Sequence, residues 1–476
     1  MLGNISSLYG SSYSQYGALG AIPGIAQSSL FGSSSSVSAL NRQESSFQVK
    51  LSAYGKLQSA MDTFKSALGD FKTAQGAAPF KATSSVSKTL TAQAGKDAGA
   101  AGSYKVDVNQ LATAQTLTSG VYANKDATIV GTGSITIQTG AYSAGTNTFT
   151  PNDSGKTISI SASNGTLSGI ANAINAAGAG VKASVVSSGS GYQLSLTSAK
   201  TGADNSIKLA VSDNDNTNGD LAGLSAFAFN PSAGPSGYNK NLTETVAAQN
   251  AQLTVDGVSV TSQSNSVTSA VKGVTLNLAA TGSTTVGVAR DAEAFAASAQ
   301  KFVEAYNALQ KSVGGLSGTS SLSSASPLAS DGLTSKLINE VRNTVTQASY
   351  GYGNNKTTLA DIGISKKSDG TLALDKSKLQ SAFAASPDNA ANLLANTADR
   401  LTNSVTRSTG ANSELQYTTR GLSKAVQSLQ NQKAILQNYT SQTYYGLPAQ
   451  PPLSSYLSKT NAATQAGRYT QVSELY

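Results

Sequence analysis

Residues 165–186 read GTLSGIANAINAAGAGVKASVV. Leu167, Ile170, Ile174 and Ala177 fall three and four apart, which makes one apolar stripe on a helix of about three turns. Thr166 is placed to cap the first turn, because its hydroxyl can accept an otherwise orphaned backbone N–H. Gly178 and Gly180 are placed to end the helix, since glycine enters the left-handed region without a Cβ clash. VKASVV (181–186) and YQLSL (192–196) follow with period-two alternation and supply strands for the stripe to pack on. No acid, base or nucleophile is poised in this stretch. It reads as scaffold, a helix laid on a sheet.

Alternation recurs on both sides of it. SYKVDV (103–108), SITIQ (134–138), TISIS (157–161), QLTV and VSV (252–255 and 258–260), VTLNL (274–278) and TVGVA (285–289) all read as strands. Asp256–Gly257, set between two of them, is a type I′ hairpin signal.

Long helical patterns flank this β region. Val37, Leu40, Phe47, Leu51, Tyr54, Leu57, Met61, Phe64, Leu68 and Phe71 mark a helix of about 35 residues, interrupted only by Glu44 and a three-residue slip after Tyr54. Near the other end, Leu415, Leu422, Leu429 and Leu436 lie seven apart. Val426 sits on the interleaved row, which Thr419, Lys433 and Thr440 weaken. A partner-seeking helix and an ordinary core helix both fit that heptad. The two long helices are expected to pair, with Leu51, Tyr54, Met61, Phe64 and Leu68 on one side of the seam. Further helices are expected over 291–312, 331–347 and 376–407, with a Ser/Gly loop over 314–330.

The expected fold class is therefore α+β, with terminal helices and β-rich domains inserted between them. The expected divisions are an uncharged segment 1–40 and a discontinuous helical domain 41–78 plus 291–440. A first β domain covers 79–120 plus 245–290, a second covers 121–244, and a tail covers 441–476.

Composition narrows the function. The chain has no Cys, His or Trp, and charged residues make up 12%. Serine–histidine triads, imidazole or thiolate metal sites and disulfides are thereby excluded. Lys and Arg exceed Asp and Glu by 33 to 25, but the cations are scattered and no basic stripe carries stacking aromatics, so no nucleic-acid partner is expected. No window has the length of apolar chain that a membrane span needs, and the uncharged start lacks the basic and apolar regions of a cleaved signal. DNDNTNGD (213–220) resembles a calcium loop, but neither register puts glycine at the sixth place and glutamate at the twelfth, so a solvated turn is expected. No phosphate loop or nucleophile elbow is present. The expectation is a protein that is not an enzyme and takes no cofactor and no metal.

The opening unit also resembles the IN motif of flagellar hook-associated proteins, with Ile174–Asn175 as the signature pair and Leu167 and Ile170 completing its core. SYKVDVNQLATAQTLTSG (103–120) and AQNAQLTVDGVSVTSQSNSVTSAVKGVTLNLAATG (248–282) resemble segments of the filament capping, or hook-associated protein 2, family. So do KLSAYGKLQSAMDTFKSAL (50–68), SPLASDGLTSKLINEVRNTV (326–345) and LADIGISKKSDGTLALDKSKL (359–379). Together they span most of residues 45–440 in the family's order.

The resemblance implies a homo-oligomeric cap at the filament tip, a ring of about four to six copies, with helical legs and a β plate. Implied partners are flagellin, the hook–filament junction protein and a cytoplasmic export chaperone on the C-terminal helix. It also implies export through the flagellar type III apparatus to an extracellular location. Another axial junction protein and a secreted surface adhesin, with host mucin or other surfaces as partners, are the alternatives. The sequence departs from the family at GALGAIPG (17–24) and after Leu436, where Pro448, Pro451 and Pro452 break a helical pattern.

Overall fold

The computed structural model describes residues 33–444 except 216, 219, 234–238, 319–325 and 351–355. The expectations for GALGAIPG and for the proline-containing tail lie outside these residues. The described helices are α1 (Ser33–Ala67), α2 (Ala74–Ala77), α3 (Leu167–Ala177), α4 (Ala292–Ser317), α5 (Gly332–Thr346), α6 (Lys376–Ala385), α7 (Pro387–Thr409) and α8 (Glu414–Tyr444). The chain divides into two compact units, one up to Ala77 and from Ala292 onward, the other Ala78–Asp291.

The helical unit is built on α1, whose 35 residues bury Tyr54, Leu57, Met61, Phe64 and, just past its end, Leu68. The pattern expected to continue to Phe71 tightens into a 3₁₀ turn over Gly69–Phe71, which still buries Phe71. α5 opens on Asp331, whose carboxylate accepts from the Thr334 N–H at 2.8 Å. The single helix expected over 376–407 is two helices. Ser386 leaves helical geometry at φ −156° and ψ 86°, and Pro387 then opens α7. Proline lacks the N–H that would continue α6, and its ring disfavours helical backbone in the residue before it.

The β unit has two cores. In the first, a sheet ordered β1 (Phe80–Ser84), β16 (Gly282–Arg290), β3 (Gly102–Gln110), β12 (Ala251–Val255) and β13 (Val258–Ser262) faces a sheet of β14 (Ser266–Val271), β15 (Val274–Leu278) and β2 (Leu90–Ala94). Val106, Leu253 and Val286 of the one meet Leu90, Val267 and Leu276 of the other.

In the second core, β10 (Ser206–Asp213), β5 (Gly133–Ser143), β6 (Thr148–Pro151) and β7 (Lys156–Ile160) form one sheet. β11 (Thr243–Val246), β4 (Thr116–Thr118), β9 (Tyr192–Ser198) and β8 (Val181–Ser187) form the other. α3 puts Leu167, Ile170 and Ile174 into this core. Asp256 and Gly257 both have positive φ, 49° and 83°, as the type I′ turn between β12 and β13 requires.

Candidate functional site

The surfaces that sequence singled out are a helix seam and the IN unit. In the seam, α1 and α8 run antiparallel: Glu44 meets Gln430 and Lys433, and Gln58 meets Gln416 at 3.0 Å. Leu415, Leu422 and Leu429 are buried, while Val426 and Leu436 are half-buried. On α1, Leu51 is half-buried; Tyr54 donates to Asp331 at 2.6 Å, and Phe64 packs edge-on against Tyr306 of α4. Tyr54, Met61, Phe64 and Leu68 thus line the interior of the helical unit.

Two of the residues that interrupt the apolar patterns, Glu44 and Lys433, belong to one contact. Glu44, only 8% exposed, accepts from Gln430 at 2.8 Å, from Gln48 at 3.0 Å and from Lys433 at 3.1 Å. Lys433 also donates to Asn41 at 3.0 Å. These bonds hold the Glu44 carboxyl below its ordinary value, the Gln430 amide contributing most and Lys433 next. A polar pair inside an apolar seam penalises every other alignment of the helices, so it fixes their register. Each half was visible in the sequence as a defect. Their pairing was not, because 389 positions separate them.

In the IN unit, the Thr166 hydroxyl accepts from Gly169 N–H at 3.1 Å, and Gly178 closes α3 in the left-handed region at φ 59°. Ile174 is fully buried. Asn175 turns the other way: its amide donates to Ala183 O at 2.8 Å and accepts from Ala183 N–H at 2.9 Å. The side chain pairs both backbone groups of one residue on the edge strand β8, as a neighbouring strand would. The Ile–Asn pair therefore joins helix to sheet twice, through the core and at the edge.

The same clamp recurs where sequence reading missed it. Asn265 pairs with the N–H and C=O of Ala112 at 2.7 and 2.9 Å, and Asn307 of α4 with those of Leu372 at 2.8 and 2.9 Å. Asp256 does this for Lys105 with one side-chain and one backbone bond. Asn265 and Asp256 both lie in the 248–282 segment that resembles the family, and the clamp gives them a physical role.

The DNDNTNGD stretch is more built than a solvated turn. Asp213 is 7% exposed; its carboxylate accepts from Ser225 N–H at 3.1 Å, and its own N–H donates to Asn218 at 2.6 Å. Asp215 accepts from the N–H and hydroxyl of Thr217, both at 2.8 Å. These carboxylates order their own loop. Burial raises Tyr122 and Tyr306 above the ordinary phenol value, which holds them neutral in their cores.

The family model described as flagellar hook-associated protein 2 N-terminus matches residues 25–115, that for its C-terminus matches 248–462, and the flagellin hook IN motif matches 146–200. The flagellar hook-associated protein 2 of Escherichia coli K12 is 36% identical over 413 residues, 81% of this chain and 80% of that protein. The B-type flagellar hook-associated protein 2 of Pseudomonas aeruginosa is 31% identical over 406 residues, 83% of each. A crystal structure of the D1-D2-D3 domains of the Escherichia coli flagellar cap protein FliD matches with a TM-score of 0.60 at 31% identity, covering 78% of this chain and 99% of that one. The same order of helices and antiparallel sheets, carried by a common sequence over four-fifths of the chain, shows that it belongs to the flagellar hook-associated protein 2 family.

Proposed function

We propose that this chain caps the distal end of the bacterial flagellar filament and guides exported flagellin into the growing lattice. The observation that carries this reading is the 36% identity over 413 residues to a flagellar hook-associated protein 2, together with the likeness to a solved flagellar cap protein. The family's work is assembly, and the chain's buried polar groups serve packing and register, in keeping with a part that holds shape.

In this reading the helical unit, expected from sequence at 41–78 plus 291–440, supplies the contacts to filament subunits. The β domains, expected at 79–120 plus 245–290 and at 121–244, form the plate over the exit. Several copies close a ring of about four to six. The Leu415–Leu436 face of α8 is offered to an export chaperone before α1 covers it. The contacts with neighbouring flagellins are weak and renew as the cap steps. Export by the flagellar type III route completes the proposal.

Deleting the gene and assaying the medium tests the reading. Hooks without filaments, with flagellin monomer accumulating outside the cells, are expected. Normal filaments without leakage would refute the proposal.

A further inference from the structure

The chain crosses between the two β cores twice. It leaves the first core after β3 and reaches β4 through residues 111–115, and it returns from β11 to β12 through residues 247–250. The crossings lie side by side. Thr113 and Gln249 exchange N–H to O=C bonds at 2.9 and 3.2 Å, and the Thr113 hydroxyl donates to Ala247 O at 2.7 Å. Two short crossings of this kind can act as a hinge, because a few backbone dihedrals in them can change while the cores they join stay intact.

A further fastening lies beside them. Gln263 follows β13, and since Ser262 pairs with Ala251, Gln263 stands beside Asn250 at the end of the returning crossing. It engages the turn between β9 and β10, which belongs to the second core. Its amide nitrogen donates to the Asp204 carboxylate at 2.6 Å, and its Oε1 accepts from Asp204 N–H at 3.2 Å. Its backbone carbonyl accepts from the Thr201 hydroxyl at 2.8 Å. Alongside it, Asn250 Oδ1 accepts from Ala203 N–H at 2.6 Å, and Thr113 O accepts from Gly202 N–H at 3.1 Å. The turn is braced from its own core by Asn152, which donates to Asp204 O at 2.8 Å. Gly202, buried at φ 102°, allows the close approach: a Cβ there would lie 2.1 Å from Gln263 Oε1 and 2.6 Å from Gln263 O.

We propose that Gln263 is a latch: closed, it holds the two β cores in one orientation, and released, it lets them swing about the paired crossings. Its amide does between the cores what that of Asn175 does within one, pairing with two groups of a single residue. Gln263 is half-buried and Asp204 exposed, so water can replace each bond between them, and the latch can open without exposing either apolar core. The inference goes beyond the cap reading and does not rest on it.

The cysteine-free chain makes the test direct. Lys88, just before β2, and Lys182, in β8, are exposed and lie on different cores, so Lys88→Cys with Lys182→Cys takes one spin label on each. Full-length labelled chain, diluted with unlabelled chain so that only distances within one copy are read, is expected to give one narrow distance distribution. Gln263→Ala removes the latch, and Gly202→Ala drives a methyl group against it; each should broaden the distribution or split it in two. Amide exchange in β5 and β15, one in each core, reads folding separately and should stay protected in both variants. The proposal is overturned if the distribution is already broad with Gln263 and Gly202 in place, or if the two variants leave it narrow. It is equally overturned if Gln263→Ala strips protection from β5 or β15, which would make Gln263 part of a core and not of the joint. Gene deletion reads the cap function separately, so either idea can fail alone.

Discussion

At the scale of single residues, amides and one ion pair do work that apolar patterns cannot show. Asn175→Ala would leave Ala183 N–H and C=O unpaired at a partly buried edge, and a loss of about 1–3 kcal/mol is expected in denaturant unfolding. Asn265→Ala should lose a similar amount, and the double variant should show the sum, because the two clamps serve different cores and share no partner. A double-variant loss well below the sum would mean that the clamps are coupled. Glu44 gives a pH signature. Its carboxyl titrates lower in the folded chain than its ordinary 4.5, so it adds stability above that value and loses it as pH falls through the folded one. Thermal melts of the unmodified chain should fall more between pH 7 and pH 3 than those of Glu44→Gln; equal falls would remove Glu44 from the acid response. Thr166, Ile174 and Gly178 were legible in the sequence because their partners lie within a few positions. Asn265 and Asn307 were not, since Ala112 lies 153 positions from the one and Leu372 lies 65 from the other.

At the scale of elements, spacing foretold the helices well and the short strands poorly. The seven-residue leucines marked α8 because burial recurs with the helical period, and Leu422, 4% exposed, is a seam residue of this kind. Leu422→Ala is expected to cost about 2–5 kcal/mol, seen as a lower melting temperature of the helical signal by circular dichroism; an unchanged melt would mean that α8 does not depend on its seam. β2 escaped notice because its inward residues after Leu90 are Ala92 and Ala94, which contrast little with Thr91 and Gln93. β13 shows the reverse case. Its alternation was plain, but only the sheet order reveals that it lies at an edge.

At the scale of the molecule, an entire β unit is inserted into a helical one. The insertion leaves and returns at one place: Asp291 N–H donates to Pro79 O at 2.8 Å, Arg290 reaches Ala78 O at 2.6 Å, and Phe80 lies opposite Arg290 in the β1–β16 ladder. A fragment of residues 78–291 is therefore expected to fold alone, with one cooperative transition and protected amides in β3 and β16. A fragment without cooperative unfolding would show that the unit needs the helices. The pattern changes between period two and the helical period near Ala78 and Asp291, where the two compact units meet in sequence. The absence of histidine and cysteine was equally informative about chemistry, since whole classes of active site need them.

That closed doorway also bears on the order in which the chain can assemble. To pack α1 against α4, an unfolded chain must first close a loop of roughly 200 residues, an entropic cost of about 5 kcal/mol. Once β1 and β16 have paired, the same loop is already closed, and α1 and α4 behave as near neighbours in sequence. Early folding of the insertion turns a long-range search into a local one, so the pairing of α1 with α4 is prepared by the β unit that separates them in sequence.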